Sequence, residues 1–426
     1  MAHDKLSVRN LTKIFGTDPQ HALRMLKDGS AKEAIFRETG SVVGVHDVSF
    51  DIQAGQIFVV MGLSGSGKST LIRMLNGLIK PTSGEVLIDG ENVANRSDAE
   101  IVRIRREKIA MVFQHFALFP HKTVIDNVAY GLKVKGTDAA IRHARALEAL
   151  ERVGLSAYAK SYPEQLSGGM QQRVGLARAL AADVDILLMD EPFGALDPLI
   201  RRDMQEELLR IQQSLNKTIV FITHDLNEAL MLGDRIAIMK GGRFVQVGTA
   251  EEIVGAPADD YVAAFTQDID RSRVFSTMRV AEPAHALEAG TDTRETALAA
   301  MRSLGRDALY LVKAGLPLGV VTHRGLSDES TVGQSLEQAA RKDFPRTSGD
   351  APIYTLYPLA CQGVPIAVVD DDDRLIGIVE PGAICREVGN ERDRTGADAA
   401  PPLPAGSAGL APGRQPLAAS LQEGAH

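Results

Sequence analysis

Three short stretches of this chain combine residue types and spacings suited to phosphate chemistry. In Gly62-Leu63-Ser64-Gly65-Ser66-Gly67-Lys68-Ser69-Thr70 the glycines, lysine and hydroxyl follow the pattern G-x-x-x-x-G-K-[ST]. Glycines so spaced let successive backbone N–H groups turn inward around a polyphosphate, at the positive end of a helix. Lys68 is placed to reach the outer phosphates and the Ser69 hydroxyl to ligate Mg²⁺. A plain glycine-rich turn has no use for Lys-Ser after its last glycine, so the stretch reads as a nucleoside-triphosphate site. Hydrolysis further requires a metal ligand and a group that orients water. Asp190-Glu191, closing the apolar run Ile186-Leu187-Leu188-Met189, supplies both: Asp190 to hold Mg²⁺ through water, Glu191 to polarise the attacking water. Upstream, in Leu166-Ser167-Gly168-Gly169-Met170, the glycines allow close approach of backbone to a ligand, and Ser167 is a cap for a helix beginning near Met170.

These residues need rigid elements beneath them. The apolar run Ile57-Phe58-Val59-Val60-Met61 reads as a strand entering the glycine loop, and Leu71-Ile72-Arg73-Met74-Leu75 as the helix leaving it. Further strands are expected at Glu85–Ile88, Ile109–Phe113, Ile186–Met189, Ile219–Ile222 and Arg235–Met239. Short apolar strands alternating with longer helical patterns over the first 265 or so residues indicate a mostly parallel α/β sheet covered by helices. Residues 17–41 read as an insertion, in which Ser30-Ala31-Lys32-Glu33 forms a capping box and Gly40 ends the short helix it starts.

A length of 426 residues calls for two or three domains, and 44% hydrophobic with 24% charged residues is ordinary for a soluble globular chain. A net charge of −8 argues against broad nucleic-acid binding. Cys361 and Cys385 lack metal-ligand spacing and fit a reduced, cytoplasmic setting. No stretch approaches the roughly 18–20 apolar residues that span a bilayer, and the N-terminus lacks a signal-peptide core, so a membrane role must come through a partner.

Composition changes after about residue 270, where a weak repeat begins. Leu309–Val312, Leu318–Val321 and Leu326 are echoed by Ile366–Val369, Ile376–Val379 and Ile384. Two strands leading into a helix, used twice, suggest a pseudo-symmetric α/β module. The acidic run Asp370–Asp373 reads as a solvated hairpin turn, and residues 391–426, rich in Pro, Gly, Ala and Ser, as a disordered tail.

Over roughly residues 6–265 the stretches together resemble the ATP-binding cassette (ABC) family, with Walker A at 62–69, the signature at 166–170 and Walker B at 186–191. The resemblance implies a P-loop nucleotide-binding domain, a mixed sheet core plus a helical subdomain, acting on ATP with Mg²⁺. Gln114 matches the Q-loop glutamine that senses Mg²⁺ and faces a transmembrane subunit. Ala195-Leu196-Asp197 matches the D-loop, His224 the switch histidine at the γ-phosphate, and Phe15 the aromatic that stacks on adenine. Glu191, His224, Lys68 and Gln114 then form the catalytic set, and Ser69, Gln114 and Asp190 the Mg²⁺ set. Phe15 with Gly62, Leu63, Ser64, Gly65, Ser66, Gly67, Lys68, Ser69 and Thr70 binds ATP. Ser167, Gly168, Gly169 and Met170 act in trans, on ATP held by a second copy in a head-to-tail dimer; Met170 replaces the family's usual Gln. His115 and His121 are contact or surface residues.

The insertion and several flanking stretches are similar to the ATPase subunits of glycine betaine/L-proline (osmoprotectant) importers. That implies a peripheral subunit at the cytoplasmic face of the cell membrane. Its partners are then a transmembrane permease and, through it, an extracytoplasmic substrate-binding protein. The repeat at 271–390 is similar to the tandem CBS module such subunits carry. The ribose-binding Asp of that module is missing from Gly319–Gly325 and from Gly377–Ala383, so a nucleotide, ionic-strength sensing and dimer packing all stay open as its role. Another solute, such as an amino acid or a choline-like amine, is an alternative cargo. A soluble cassette ATPase outside transport is a further alternative.

Overall fold

The computed structural model describes residues 4–114, 117–194, 196–328 and 333–394. His115, Phe116, Ala195 and 395–426, hence most of the expected tail, lie outside the described residues; the last helix, Pro381–Arg394, enters the first residues of that tail. The chain divides into a first unit running to Ser276, with Pro352–Tyr354, and a second covering Thr277–Ala351 and the chain from Thr355.

Ten strands are described in the first unit: β1 (Asp4–Phe15), β2 (Val42–Gln53), β3 (Ile57–Met61), β4 (Ser83–Ile88), β5 (Glu91–Asn92), β6 (Ile109–Val112), β7 (Ile186–Asp190), β8 (Thr218–Thr223), β9 (Arg235–Lys240) and β10 (Arg243–Gly248). They form two sheets. β2-β1-β4-β5 is antiparallel, and β10-β9-β3-β8-β7-β6 is parallel except at the β10–β9 edge.

The long apolar runs of β3 and β8 follow from burial on both faces, with every residue of each buried. Alternation along β3 divides the core in two. Ile57, Val59 and Met61 face a cluster with Val174 and Ala177 of the helix Gly168–Ala181. Phe58 and Val60 face another with Leu71 and Ile72 of the helix Lys68–Leu75 and with Val8 and Ile52 of the antiparallel sheet. Phe50 stacks on Phe58 there, ring centroids 4.7 Å apart. A helical subdomain (Val124–Val128, Tyr130–Val134, Ala139–Arg152 and Gly168–Ala181) interrupts the strands between β6 and β7, its helices opened by Thr123, Asp138 and Ser167 as N-caps.

The insertion forms two helices, Pro19–Lys27 and Lys32–Thr39, where the sequence suggests one. The first starts at Asp18, whose carboxylate accepts from His21 N–H, with Pro19 in its first turn. The expected capping box at Ser30–Glu33 does not form. The N-cap is Ala31, with no side-chain bond, because Ser30 belongs to the close of the preceding helix, its N–H donating to Met25 O at 2.9 Å. Gly40 ends the second helix in the left-handed region, φ 66°. Ala22, Leu23, Leu26 and Ile35 close a small core with Ile14 and Val43.

In the second unit, β11 (Leu287–Glu288) runs parallel to β12 (Ala308–Lys313), which pairs antiparallel with β13 (Leu316–Thr322). The same arrangement recurs in β14 (Arg346–Ser348), β15 (Ile366–Val369) and β16 (Leu375–Val379). A helix follows each hairpin, His323–Ser327 and Pro381–Arg394. The Asp370–Asp373 run is the turn of the second hairpin, where Asp370 Oδ1 accepts from the N–H of Asp372 and of Arg374.

Candidate functional site

The glycine loop leaves β3 at Gly62, and the geometry forbids side chains there. A Cβ on Gly62 (φ 155°) would stand 2.2 Å from the Met239 carbonyl oxygen, and one on Gly67 (φ 109°) 2.6 Å from that of Gly44. Gly67 is the N-cap of Lys68–Leu75, so the loop feeds straight into a helix N-terminus. The turn between β9 and β10 supports the loop from below, Gly242 N–H donating to Ser66 O at 2.7 Å. Leu63, Ser64 and Gly65 are exposed.

Lys68 is 4% exposed and bends back so that its Nζ donates to the carbonyls of Gly62 (2.7 Å) and Leu63 (3.1 Å). Burial pushes its ammonium below the ordinary lysine range, against the pull of Glu191 and Asp190. Ser69 Oγ donates to Asp190 Oδ1 at 3.3 Å, and burial holds the Asp190 carboxyl above its ordinary range. Lys68, Ser69 and Thr70 form the first turn of that helix, and Asp190 reaches Ser69 from the end of β7. Ser66 Oγ is buried with no hydrogen-bond partner among the described residues. A cation without a full complement of acceptors, an orphan hydroxyl and a helix N-terminus form a cradle that fits a triphosphate. The Ser69 hydroxyl and the Asp190 carboxylate, already in contact, fit Mg²⁺ as hard oxygen donors.

Glu191 is where the other predicted residues meet. Its Oε2 accepts from Gln114 Nε2 at 3.5 Å and stands 3.1 Å from His224 Nδ1, and its Oε1 is 3.9 Å from Lys68 Nζ. The backbone there is in the left-handed region at φ 45°, fixed by the Glu191 N–H donating to Ile222 O at 3.0 Å. Phe15 ends β1 with 41% of its surface exposed. Its ring lies over Gly44, where a Cβ would meet Phe15 Cε2 at 2.9 Å and the Thr70 methyl at 3.6 Å. A half-exposed aromatic ring, with Lys13 Nζ 5.2 Å from its centroid, thus borders the loop helix.

Ser167, Gly168, Gly169, Met170 and Asp197 are not drawn into this cluster. Ser167 caps the helix Gly168–Ala181, its Oγ accepting from Met170 N–H at 3.3 Å, so that helix begins two residues before the expected start. Ser167 and Gly168 are exposed, and a Cβ on Gly168 would meet nothing within 4 Å. Gly169 faces inward, a Cβ there reaching Ile200 Cγ2 at 2.4 Å. Asp197 is exposed and caps Pro198–Leu215 through Ile200 N–H at 3.1 Å. Sequence reasoning missed Gly44, Gly242, Arg201, Gln205, Thr223 and Glu228. Only Glu228 left a trace, as an acid on the apolar stretch Leu226–Leu232.

A phosphate loop after β3, an acid pair after β7 and a glycine-led helix from an inserted subdomain are the equipment of a cassette ATPase, and residues 45–194 match the family described as ABC transporter. The glycine betaine transport ATP-binding protein OpuAA of Bacillus subtilis is 47% identical over 89% of this chain and 91% of its own length. The glycine betaine/proline betaine transport system ATP-binding protein ProV of Escherichia coli is 48% identical over 91% and 98%. The trimethylamine N-oxide transport system ATP-binding protein TmoW of Ruegeria pomeroyi is 46% identical over 77% and 97%. Among solved structures, cbiO1 from Clostridium perfringens superposes with a TM-score of 0.51 at 26% identity, covering 60% of this chain and 92% of that one. The chain belongs to this family of transport ATP-binding proteins and is the ATP-hydrolysing subunit of an ABC transporter.

Proposed function

We propose that the chain drives uptake of glycine betaine/proline-type osmoprotectants, as a peripheral subunit on the cytoplasmic face of the membrane, paired with a second copy and seated on a transmembrane permease. An extracytoplasmic binding protein delivers the cargo to that permease. The observation that carries the reading is the meeting of Lys68, Gln114 and His224 on Glu191, set against Ser167 and Gly168 lying open to solvent. One subunit holds most of a hydrolytic site, and a second supplies the rest.

In this reading Lys68 and the loop N–H groups hold the β- and γ-phosphates, and Phe15 stacks on adenine. Glu191 takes the proton of the attacking water while His224 and Gln114 keep its carboxylate aimed. Ser69, Gln114 and Asp190 would hold Mg²⁺, which when bound would supply charge neutralisation at the phosphates. The signature residues Ser167 to Met170 close on the ATP of the partner copy, with Asp197 beside them. An apolar groove of 610 Å³ next to Gln114, lined by Met111, Phe113, Phe119, Tyr130 and Val134, supports a docking place for the permease. No helix of the described residues is long and apolar enough to cross a membrane, in keeping with a role through that partner. The second unit is assigned a tandem CBS-like regulatory role, with a cleft lined by Arg306, His323, Arg324 and Glu380 as its candidate ligand or salt-sensing site.

The test is reconstitution of the chain with its permease and binding protein in proteoliposomes, measuring ATP-dependent uptake of labelled glycine betaine. Saturable uptake is expected, with choline, proline and trimethylamine N-oxide as competitors. A system that moves trimethylamine N-oxide or an amino acid and ignores betaine would overturn the cargo while leaving the ATPase reading intact.

A further inference from the structure

The turn that carries His224 is bracketed by a buried polar network to which the hydrolytic reading gives no task. Glu228, 5% exposed, lies four residues beyond His224 on the helix Leu226–Leu232. Its Oε2 accepts from Thr223 Oγ1 at 2.5 Å and its Oε1 from Gln205 Nε2 at 3.2 Å. Thr223 Oγ1 accepts in turn from the Asp225 N–H at 3.0 Å, so both neighbours of His224 are tied to one hydroxyl. Arg201 enters from the helix Pro198–Leu215. Its Nη1 donates to Asp225 Oδ2 at 3.4 Å and its Nη2 to Leu196 O at 3.2 Å. Its Nε, buried and without a hydrogen bond, faces Glu228 Oε1 at 3.8 Å.

Leu196 is the residue before Asp197, so one guanidinium spans the distance from the Asp197 loop to the residues flanking His224. Burying a carboxylate is costly unless it is paired, and burial indeed pushes the Glu228 carboxyl up. An apolar side chain would serve mere packing at that place with less penalty. A planar fork with several fixed donors can hold two loops at once, which a single ammonium cannot.

We infer that Arg201, seated on Glu228, is a positioning residue that fixes the His224 turn against the Asp197 loop, so that the histidine engages the reacting phosphate only when both loops are in place. This rests on the reading of His224 as the switch histidine. The test measures single-turnover hydrolysis and ATP dissociation constants for Arg201→Lys, Arg201→Ala and Glu228→Gln, each alone and in a His224→Ala background.

Arg201→Lys is expected to slow hydrolysis about tenfold while the ATP dissociation constant stays within about twofold. With His224 already removed, the same change should cost less than about twofold, because the group being positioned is gone. Full, additive losses in both backgrounds would overturn the inference, as would weakening of ATP binding in step with the rate. Parental hydrolysis by His224→Ala alone would instead overturn the switch-histidine reading, and the inference with it. Should Arg201→Ala fail to fold, Arg201→Lys and Glu228→Gln, which keep side-chain volume, decide the matter.

Discussion

The two halves of the proposed nucleotide site are built in opposite ways. Around Lys68 the polar groups are mutually bonded across several elements, from the buried Lys68 to the exposed Gln114 and His224, and burial perturbs two of them: Lys68 downward, Asp190 upward. At the other half, Ser167 and Gly168 are exposed, and the Ser167 hydroxyl caps its own helix by accepting from Met170 N–H. The first half is organised before ligand arrives, at a cost in stability; the second is a capped helix tip that faces solvent. Catalysis that needs both can be gated by bringing them together, with no rearrangement of either.

Breaking the organised half should give the largest effects. Glu191→Gln is expected to lower kcat about a thousandfold with ATP affinity intact, since only activation of water is lost. The variant should accumulate as an ATP-bound dimer by size-exclusion chromatography; hydrolysis at the parental rate would remove Glu191 from the mechanism. Lys68→Ala removes a charge-assisted contact worth about 3 kcal/mol, so ATP binding by calorimetry should weaken roughly a hundredfold.

The open half should break differently. Gly168→Glu meets no neighbour in the fold, so its melting temperature should stay near the parent's. Its carboxylate would nonetheless oppose a polyphosphate, and multiple-turnover hydrolysis should fall about a hundredfold while each monomer still binds ATP. Unaltered turnover would mean that this surface never meets nucleotide. Gly169→Ala makes the control, since it drives a methyl into Ile200 and should cost about 1–3 kcal/mol in denaturant unfolding.

The smallest expected effect on stability concerns Asp190. Its folded pKa is raised above the ordinary 3.8, so the protonated form is the one the fold favours. That stabilisation is complete below about pH 3.8 and is lost as pH rises through the folded value. Asp190→Asn should therefore stabilise the nucleotide-free protein at neutral pH, and the gain should fade on acidification. Hydrolysis should be lost throughout. A gain that grew toward low pH would reverse the sign assigned to this carboxylate.

The two halves also differed in how far they could be read beforehand. Lys68, Ser69, Asp190 and Glu191 were legible because the chemistry needs those residue types at fixed short spacings beside a strand, and strand ends are apparent from apolar runs. Ser167 was legible as a cap, although the helix begins at Gly168 and not near Met170. The support of the loop by Gly242, 176 residues from Ser66, left no mark beyond a pair of glycines in a hairpin. Arg201 and Glu228 meet across two helices, and for the same reason their pairing was silent, although Glu228 alone stands out as an acid on an apolar stretch. Ser30 shows the converse error: a local pattern with the residue types of a capping box lost to a backbone bond that closes the helix before it.

Ile200 against Gly169 has one more consequence. The helix led by the open glycines and the helix led by Asp197 touch at the width of a single hydrogen, with no room for even a methyl between them. Ile200 thus offers a direct contact through which a displacement of the Asp197 loop would be felt at the tip that carries the open glycines.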